Sequence, residues 1–463
     1  MINKILNYFE EICNIPRCSY HNEKIGKYLL DWGKQHNFIT KQDDIGNVII
    51  YVPASKGKEN SDSVILQGHM DMVCEKNSNS THDFSKDAIS LIDEGEWITA
   101  KDTTLGADNG IALAIAMAIS LDEEVEHPPL ELLFTVDEEV GLDGAKDITP
   151  NWFKSKMLIN IDSEDEGIVT IGCAGGNDTN ISYDFKSVDN EFSNIYKLMI
   201  SGLTGGHSGM DIDNNRGNPI KLLAETISNI VADYQLSEFV SGTAHNAIPR
   251  EGYLIFSTNK NLTVDDFANI RNKFQNKLEI EVDLKLGLTK AQNFISQDDS
   301  KSIIDLIDQL PHGVYNYSKK IGGLVQTSNN LAIFRLENGK MKAKSSQRGA
   351  TVDGLAELTN KIETIGKSFG YYTNSPQGYP SWEPNFHSKL LAKSKNVYKN
   401  IFGKDLQVEI IHAGLECGII GSLIPDLDMI SIGPTIQNPH TPKERIKKET
   451  IGYIYTLIKG LLA

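Results

Sequence analysis

His69 and Asp71 stand two residues apart after the apolar run Val64-Ile65-Leu66. They open an ordered series of metal-type ligands that continues through Asp108, Glu138, Glu139 and Asp162 to His440. Residues two apart on a strand share a face, so Asp71 can accept the ring N–H of His69 and fix the tautomer that leaves the other nitrogen for a metal. The adjacent pair Glu138 and Glu139 allows one carboxylate to bind a cation while the other takes a proton. Two histidines with four or five carboxylates suit a pair of borderline divalent ions, for which nitrogen and oxygen donors are appropriate. Such a pair generates a nucleophile near neutral pH and polarises a carbonyl. Asp108, Glu139 and Asp162 would carry most of the charge balance, which leaves Glu138 as a base.

Each member also has an ordinary structural reading. Asp108, in the run from Leu105 to Gly110, begins a helical pattern where an N-cap serves equally well. Glu138 and Glu139 read alone as a solvated acidic turn, and Asp162 is followed by another, Ser163 to Glu166. A lone His-x-Asp is a common polar pair at a strand end. The order of the whole set is what gives it weight.

The elements that must position these residues are legible as apolar runs. Strand-length runs at 47–52, 64–67, 130–136 and 157–161 alternate with helical patterns such as 110–121, which predicts an α/β domain. The candidate ligands follow the runs, at the carboxyl ends of the presumed strands, where open α/β sheets bind ligands. From about 181 the texture changes to an α+β unit: strand 196–200, helix 218–232, a strand near 253–257 and helix 264–277. A similar order recurs, with helix 300–310, a hairpin of 323–335 and 341–348 around Asn338-Gly339, and helix 351–369, as an internally duplicated unit would show. The segment 374–384 has three prolines in eleven residues and reads as a linker. Strand 427–432 returns to α/β texture. Thr441-Pro442-Lys443-Glu444 is a capping-box pattern that places His440 just before a final helix. The expected organisation is a catalytic domain from 1–180 and 380–463, with 181–379 inserted as a lid.

At 463 residues the chain exceeds one compact core. With 45 Lys+Arg against 62 Asp+Glu its formal net charge is -17, and no basic stripe interleaves with aromatics, which argues against nucleic acid and anionic membranes as partners. The five cysteines are odd in number, scattered and without a Cys-x-x-Cys pair, which suits a reducing compartment. Cys417 reads as a buried inert thiol. Residues 1–12 form an amphipathic helix rather than a signal peptide, and the longest apolar stretch, 110–119, is half the ~20 residues that a bilayer requires. A cytoplasmic protein is expected.

The segments around His69, Asp108, Glu138-Glu139, Asp162 and His440 resemble the M20 metallopeptidase family in order and spacing. Three more, Gly205 to Gly209, Asn246 to Glu251 and Ile411 to Gly418, resemble its aminoacyl-histidine (Xaa-His) dipeptidase branch. The resemblance implies a mixed-sheet catalytic domain with an inserted lid, and two divalent ions, zinc with manganese or cobalt as alternatives. It implies His69 and Asp162 on one ion, Glu139 and His440 on the other, Asp108 between them, Asp71 orienting His69, and Glu138 as general base. It further implies a cis peptide at Asp108-Asn109, His207 as donor to the oxyanion, and Asn246, Arg348 and the backbone of Gly414 on the carboxylate of a dipeptide substrate. A homodimer is compatible, and whether His207 acts within its own chain stays open. The rival readings are an aminoacylase, a tripeptidase and a noncatalytic peptide-binding protein.

Overall fold

The computed structural model describes residues 1–267 and 282–463. It divides into two compact units: Met1–Cys173 with Trp382–Ile410 and Leu415–Ala463, and Ala174–Ser381 with Ile411–Gly414.

The first unit is built on an eight-stranded sheet in the order Ile39–Gln42, Val48–Val52, Leu130–Thr135, Val64–His69, Met157–Asn160, Asp428–Ser431, Ile168–Cys173, Gln407–Ile411. Leu130–Thr135, Val64–His69, Met157–Asn160 and Asp428–Ser431 run parallel side by side. The first two are buried at every position, as strands of a sheet covered on both faces are. The register sets His69 beside Thr135 and Gln67 beside Asn160, so the ends of these strands lie at one edge.

Helix Ala107–Ser120 is buried at every residue except Asp108, as expected of a helix that is apolar all round. It packs closely on the sheet: a Cβ at Gly68 would lie 2.4 Å from Asn109 Oδ1 and 2.7 Å from the Ala112 Cβ, so glycine is required beside His69. The Asp108-Asn109 peptide is cis, as the resemblance implied. The helix starts after Gly106 in the left-handed region, and Asp108 is not its cap.

The second unit carries a nine-stranded sheet of two four-stranded halves. Asp283–Leu288, Asn194–Ser201, Gly252–Thr258 and Gln235–Ser241 form one, and Val325–Glu337, Lys340–Gly349, Gly175–Asp184 and Tyr372–Asn374 the other. They join where Phe239, Val240 and Ser241 pair with Leu336, Arg335 and Phe334, and Gly313–Tyr317 pairs with Val325–Glu337 off this path. The hairpin turns at Asn338 (φ 53) and Gly339 (φ 73), the positive dihedrals of a tight two-residue loop. Side-chain caps start three helices, with Asn218 before Pro219–Ile230, Ser296 before Gln297–Gln309 and Thr351 before Val352–Ser368. Of the expected helix 264–277, Val264–Phe267 forms a short 3-10 turn and the remainder lies outside the described residues.

Three sequence expectations are corrected. The last helix begins at Lys448, not beside His440, and Arg445–Lys447 is a strand, because the Glu444 carboxylate binds amides of residues 105–108 instead of capping its own segment. The stretch 374–384 is no free linker: Tyr379 pairs with Gly176, and Trp382 with Cys173, since proline-rich extended chain can still pair along an edge. Cys18 and Cys74 are joined by a disulfide although 56 residues separate them, because Cys18 bridges to Met72 and the two segments lie side by side. Cys13, Cys173 and Cys417 are buried and lie outside that disulfide. No helix among the described residues is long and apolar enough to cross a membrane.

Candidate active site

At the common edge of the parallel strands the chain gathers both histidines and five of the acidic residues singled out above. His69 Nε2 lies 3.0 Å from Asp108 Oδ1 and 3.5 Å from Asp162 Oδ1. His440 Nε2 lies 3.0 Å from Asp108 Oδ2 and 3.0 Å from Glu139 Oε2. Asp108 thus offers one oxygen to each imidazole. Three groups have donor atoms within 4.8 Å of one another: His69 with Asp108 and Asp162, His69 with Glu138 and Glu139, and Asp108 with Glu139 and His440. Donors sharing a metal at ~2.0–2.2 Å come this close together.

Local backbone explains how these side chains converge. Asp137 (φ 52) takes the left-handed conformation just after strand Leu130–Thr135 and redirects the chain, so Glu138 and Glu139 need not diverge as they would on a strand. Asp137 Oδ1 accepts from the Tyr20 amide and from Asn22 Nδ2. His440 is also left-handed (φ 59), an uncommon state for a side-chain-bearing residue, and its ring is 49% exposed. Asp71, fully buried, accepts from His69 Nδ1 at 3.2 Å, from the amides of Glu138 and Glu139, and from Ser19 Oγ at 2.7 Å. The His69–Asp71 contact fixes Nε2 as the nitrogen facing Asp108 and Asp162.

The charges are unbalanced without a cation. Burial raises Glu138, Glu139 and Asp162, and neighbouring carboxylates add to the shift. Burial opposes protonation of the imidazoles, but carboxylates outweigh it: His69 stands well above its ordinary value, held mainly by Asp162 and Asp108, and His440 is pushed up to about 11 by Asp108 and Glu139. Asp108, despite burial, is lowered by the two imidazoles. Glu139 Oε1 is buried with no hydrogen-bond partner. An orphaned carboxylate oxygen in a nitrogen–oxygen cluster of this kind fits a divalent cation. Among the described residues, the Glu138 carboxylate makes no hydrogen bond or ion pair, so it is the member left over.

Several groups without a signature in the sequence hold this cluster. Gln67 Nε2 and Thr135 Oγ1 both donate to Glu416 Oε2, and Asn160 Nδ2 donates to Gln67 Oε1, so three adjacent strands are tied together just ahead of their acidic or imidazole residues. Burial pushes Glu416 up to about 7. Glu164, dismissed as part of an acidic turn, is half-buried and pushed up to about 8 by burial and Asp108. None of these has a local spacing signal. Burial also holds the Cys417 thiol well above its ordinary value, as expected of an inert thiol.

The second unit assembles its own candidates. Strand Gly206–His207 pairs with Ala247–Ile248, and the Ser208 amide donates to the Asn246 carbonyl. His207 Nδ1 accepts from the amides of Gly209 and Met210, which puts the ring proton on Nε2. Arg348, 7% exposed, donates to Ser208 Oγ and to the Tyr379 hydroxyl, and no carboxylate pairs with it among the described residues. A Cβ at Gly414 would lie 2.8 Å from the Tyr379 ring. Ser208, bonded to Arg348 and by its amide to the Asn246 carbonyl, and Tyr379, bonded to Arg348 and close to Gly414, bring the three candidates near one another. A buried guanidinium with only neutral partners is suited to an incoming anion.

The sequence profile of peptidase family M20/M25/M40 matches residues 65–463. Over 466 residues, 98% of this chain and 96% of the relative, the sequence is 39% identical to the cytosol non-specific dipeptidase of Escherichia coli (strain K12). The crystal structure of aminoacylhistidine dipeptidase from Vibrio alginolyticus is similar with a TM-score of 0.85 and 34% identity, covering 99% of this chain and 96% of that one. Aminopeptidase PepT from Bacillus cereus, at 15% identity and a TM-score of 0.57 over 100% of this chain and 98% of its own, shares the fold.

Proposed function

Because the chain is a member of peptidase family M20/M25/M40, we propose that it is a dinuclear metallodipeptidase that hydrolyses Xaa-His and other dipeptides. The observation that carries this reading is the pair of 3.0 Å contacts that His69 and His440 make to the two oxygens of Asp108. We assign one ion to His69 and Asp162, the other to Glu139 and His440, and Asp108 to both. The donor set suits Zn²⁺ and also accepts Mn²⁺ or Co²⁺. Bound there, a pair of cations would polarise the scissile carbonyl and make water a competent nucleophile near neutral pH.

The chain's own groups do the rest. Glu138, whose carboxylate has no hydrogen-bond or ion-pair partner among the described residues, takes the proton of the attacking water and returns it to the leaving amine. Asp71 keeps the His69 tautomer fixed. From the second unit, the proposed lid, His207 Nε2–H donates to the developing oxyanion, the electrostatic term that is usually largest in acyl transfer. Arg348, with the Asn246 side chain and the Gly414 amide, takes the substrate carboxylate. The name of the Escherichia coli relative supports a cytoplasmic setting.

A hydrolysis panel tests the reading, using Xaa-His dipeptides, other dipeptides, a tripeptide and an N-acyl amino acid, with chelator and metal add-back. Dipeptides are expected to be cleaved, chelator to stop the reaction and a divalent ion to restore it. Turnover confined to tripeptides or N-acyl amino acids would move the assignment to another amidohydrolase. Saturable dipeptide binding without product would make the protein a binding module.

A further inference from the structure

Asp108 stands at the start of helix Ala107–Ser120 with non-helical dihedrals (φ -79, ψ 105), so residues 105–108 form a loop leading into the helix. Two buried groups that the proposed chemistry does not use, Glu444 and Arg17, hold that loop from opposite sides. Glu444 is 2% exposed. Its Oε2 accepts from the amides of Leu105 at 2.7 Å and Gly106 at 2.9 Å, and its Oε1 from those of Ala107 at 2.8 Å and Asp108 at 3.3 Å. Arg17, 1% exposed, takes the carbonyls: Nη1 donates to Met70 at 3.0 Å and Asp71 at 2.9 Å, and Nη2 donates to Gly106. Gly106 is left-handed (φ 68), a conformation that strains any side chain, and a Cβ there would lie 2.5 Å from Arg17 Nη2 and would push the guanidinium aside. The anion collects the amides of residues 105–108, and the cation ties the same loop to the strand end that carries His69 and Asp71.

Glu444 follows His440 by four residues. One short segment therefore delivers the His440 ring to Asp108 Oδ2 and a carboxylate to the Asp108 amide. Four backbone N–H groups converging on the two oxygens of one carboxyl group leave the loop little freedom. We propose that Glu444 is a positioning residue of the metal centre: it locks the Asp108 loop to the His440 segment so that these two ligands hold a common geometry, with Arg17 fixing the loop to the His69 strand. This rests on the assignment of His69, Asp108 and His440 as metal ligands. A helix cap that served stability alone would make the same hydrogen bonds, and the two roles differ in what they do to the metal.

The test is a Co²⁺ titration of the metal-free protein, read by d–d absorption and by affinity against a competing chelator, with melting temperatures recorded alongside. Glu444→Gln presents an NH₂ donor to backbone donors, and Glu444→Asp keeps the charge but shortens the reach. Ile458→Val, in the buried face of the last helix, supplies a control that is destabilised without touching the loop. The expected result is that E444Q binds Co²⁺ on the order of 10–100-fold more weakly with an altered spectrum. E444D should fall between E444Q and the wild type, and I458V should keep wild-type affinity and spectrum. If E444Q does not fold, E444D against the wild type carries the comparison. Wild-type affinity and spectrum in the folded Glu444 variants, whatever their melting temperatures, would overturn the proposal. A wild-type protein that binds no Co²⁺ would instead overturn the metal assignment itself, and the inference with it.

Discussion

The Asp71 carboxylate accepts the backbone amide of Glu138 at 3.1 Å. The same carboxylate holds the His69 ring and the Glu139 amide, so one buried group sets the orientation of an imidazole and of the turn that carries both glutamates. The two jobs are inseparable in this geometry.

Asp71→Asn should therefore damage more than metal binding. The amide turns one acceptor into a donor facing donors, and loss of an orienting partner of a metal-bound histidine typically costs 10–100-fold in affinity or activity. Metal content and kcat are expected to fall together in that range. Full metal content with unchanged kcat would contradict the role given to Asp71.

Burial holds the Glu416 carboxyl at about 7, against 4.5 for an ordinary glutamate. An unfolded chain releases this proton near 4.5 and the native metal-free protein near 7, so in between the native state binds more protons and its stability falls as pH rises. The share of this one group is about 3 kcal/mol at most. Thermal melts of the metal-free protein should show Tm declining across that window, with a shallower decline in Glu416→Gln. Equal slopes in the two proteins would contradict it.

Arg348 is buried and has no carboxylate partner among the described residues, and the proposal gives it the substrate carboxylate. Arg348→Ala should raise KM for dipeptides by roughly 10–100-fold, the worth of a charge-assisted hydrogen bond of about 1.5–3 kcal/mol. The variant should no longer distinguish a dipeptide from its C-terminal amide. An undiminished preference for the free acid in Arg348→Ala would place the anchor elsewhere.

The Cys18–Cys74 bond closes a long loop that contains the strand ending at His69 and, beyond it, Asp71. Protein isolated without reductant should show three thiols after denaturation and five after reduction, since Cys13, Cys173 and Cys417 lie outside the disulfide. Opening the loop should lower the stability by up to about 4 kcal/mol on the chain-entropy account. Five thiols without reductant would show the pair open in the cell.

What the sequence revealed and what it hid divide along contact range. The spacing of His69 and Asp71, the strand-end position of Glu138, Glu139 and Asp162, and the hairpin turn at Asn338-Gly339 are local and were readable from periodicity and turn chemistry. The link from Glu444 to Leu105 spans 339 residues and that from Gln67 to Glu416 spans 349, and neither has a local signature. The Thr441 to Glu444 pattern was misread as a capping box because a capping glutamate looks the same in sequence whichever helix it serves. Arg17 was silent because a buried cation that binds only carbonyls needs no acidic neighbour in the chain.

The central claim is that Glu138 moves the proton while other residues hold the metal, and Glu138→Ala tests it most directly. Dipeptide hydrolysis and metal content should be measured on the same preparation. Full metal content, as in the wild type, is expected with kcat reduced by about 10²–10⁴-fold. Near-normal hydrolysis by the metal-loaded variant would contradict it.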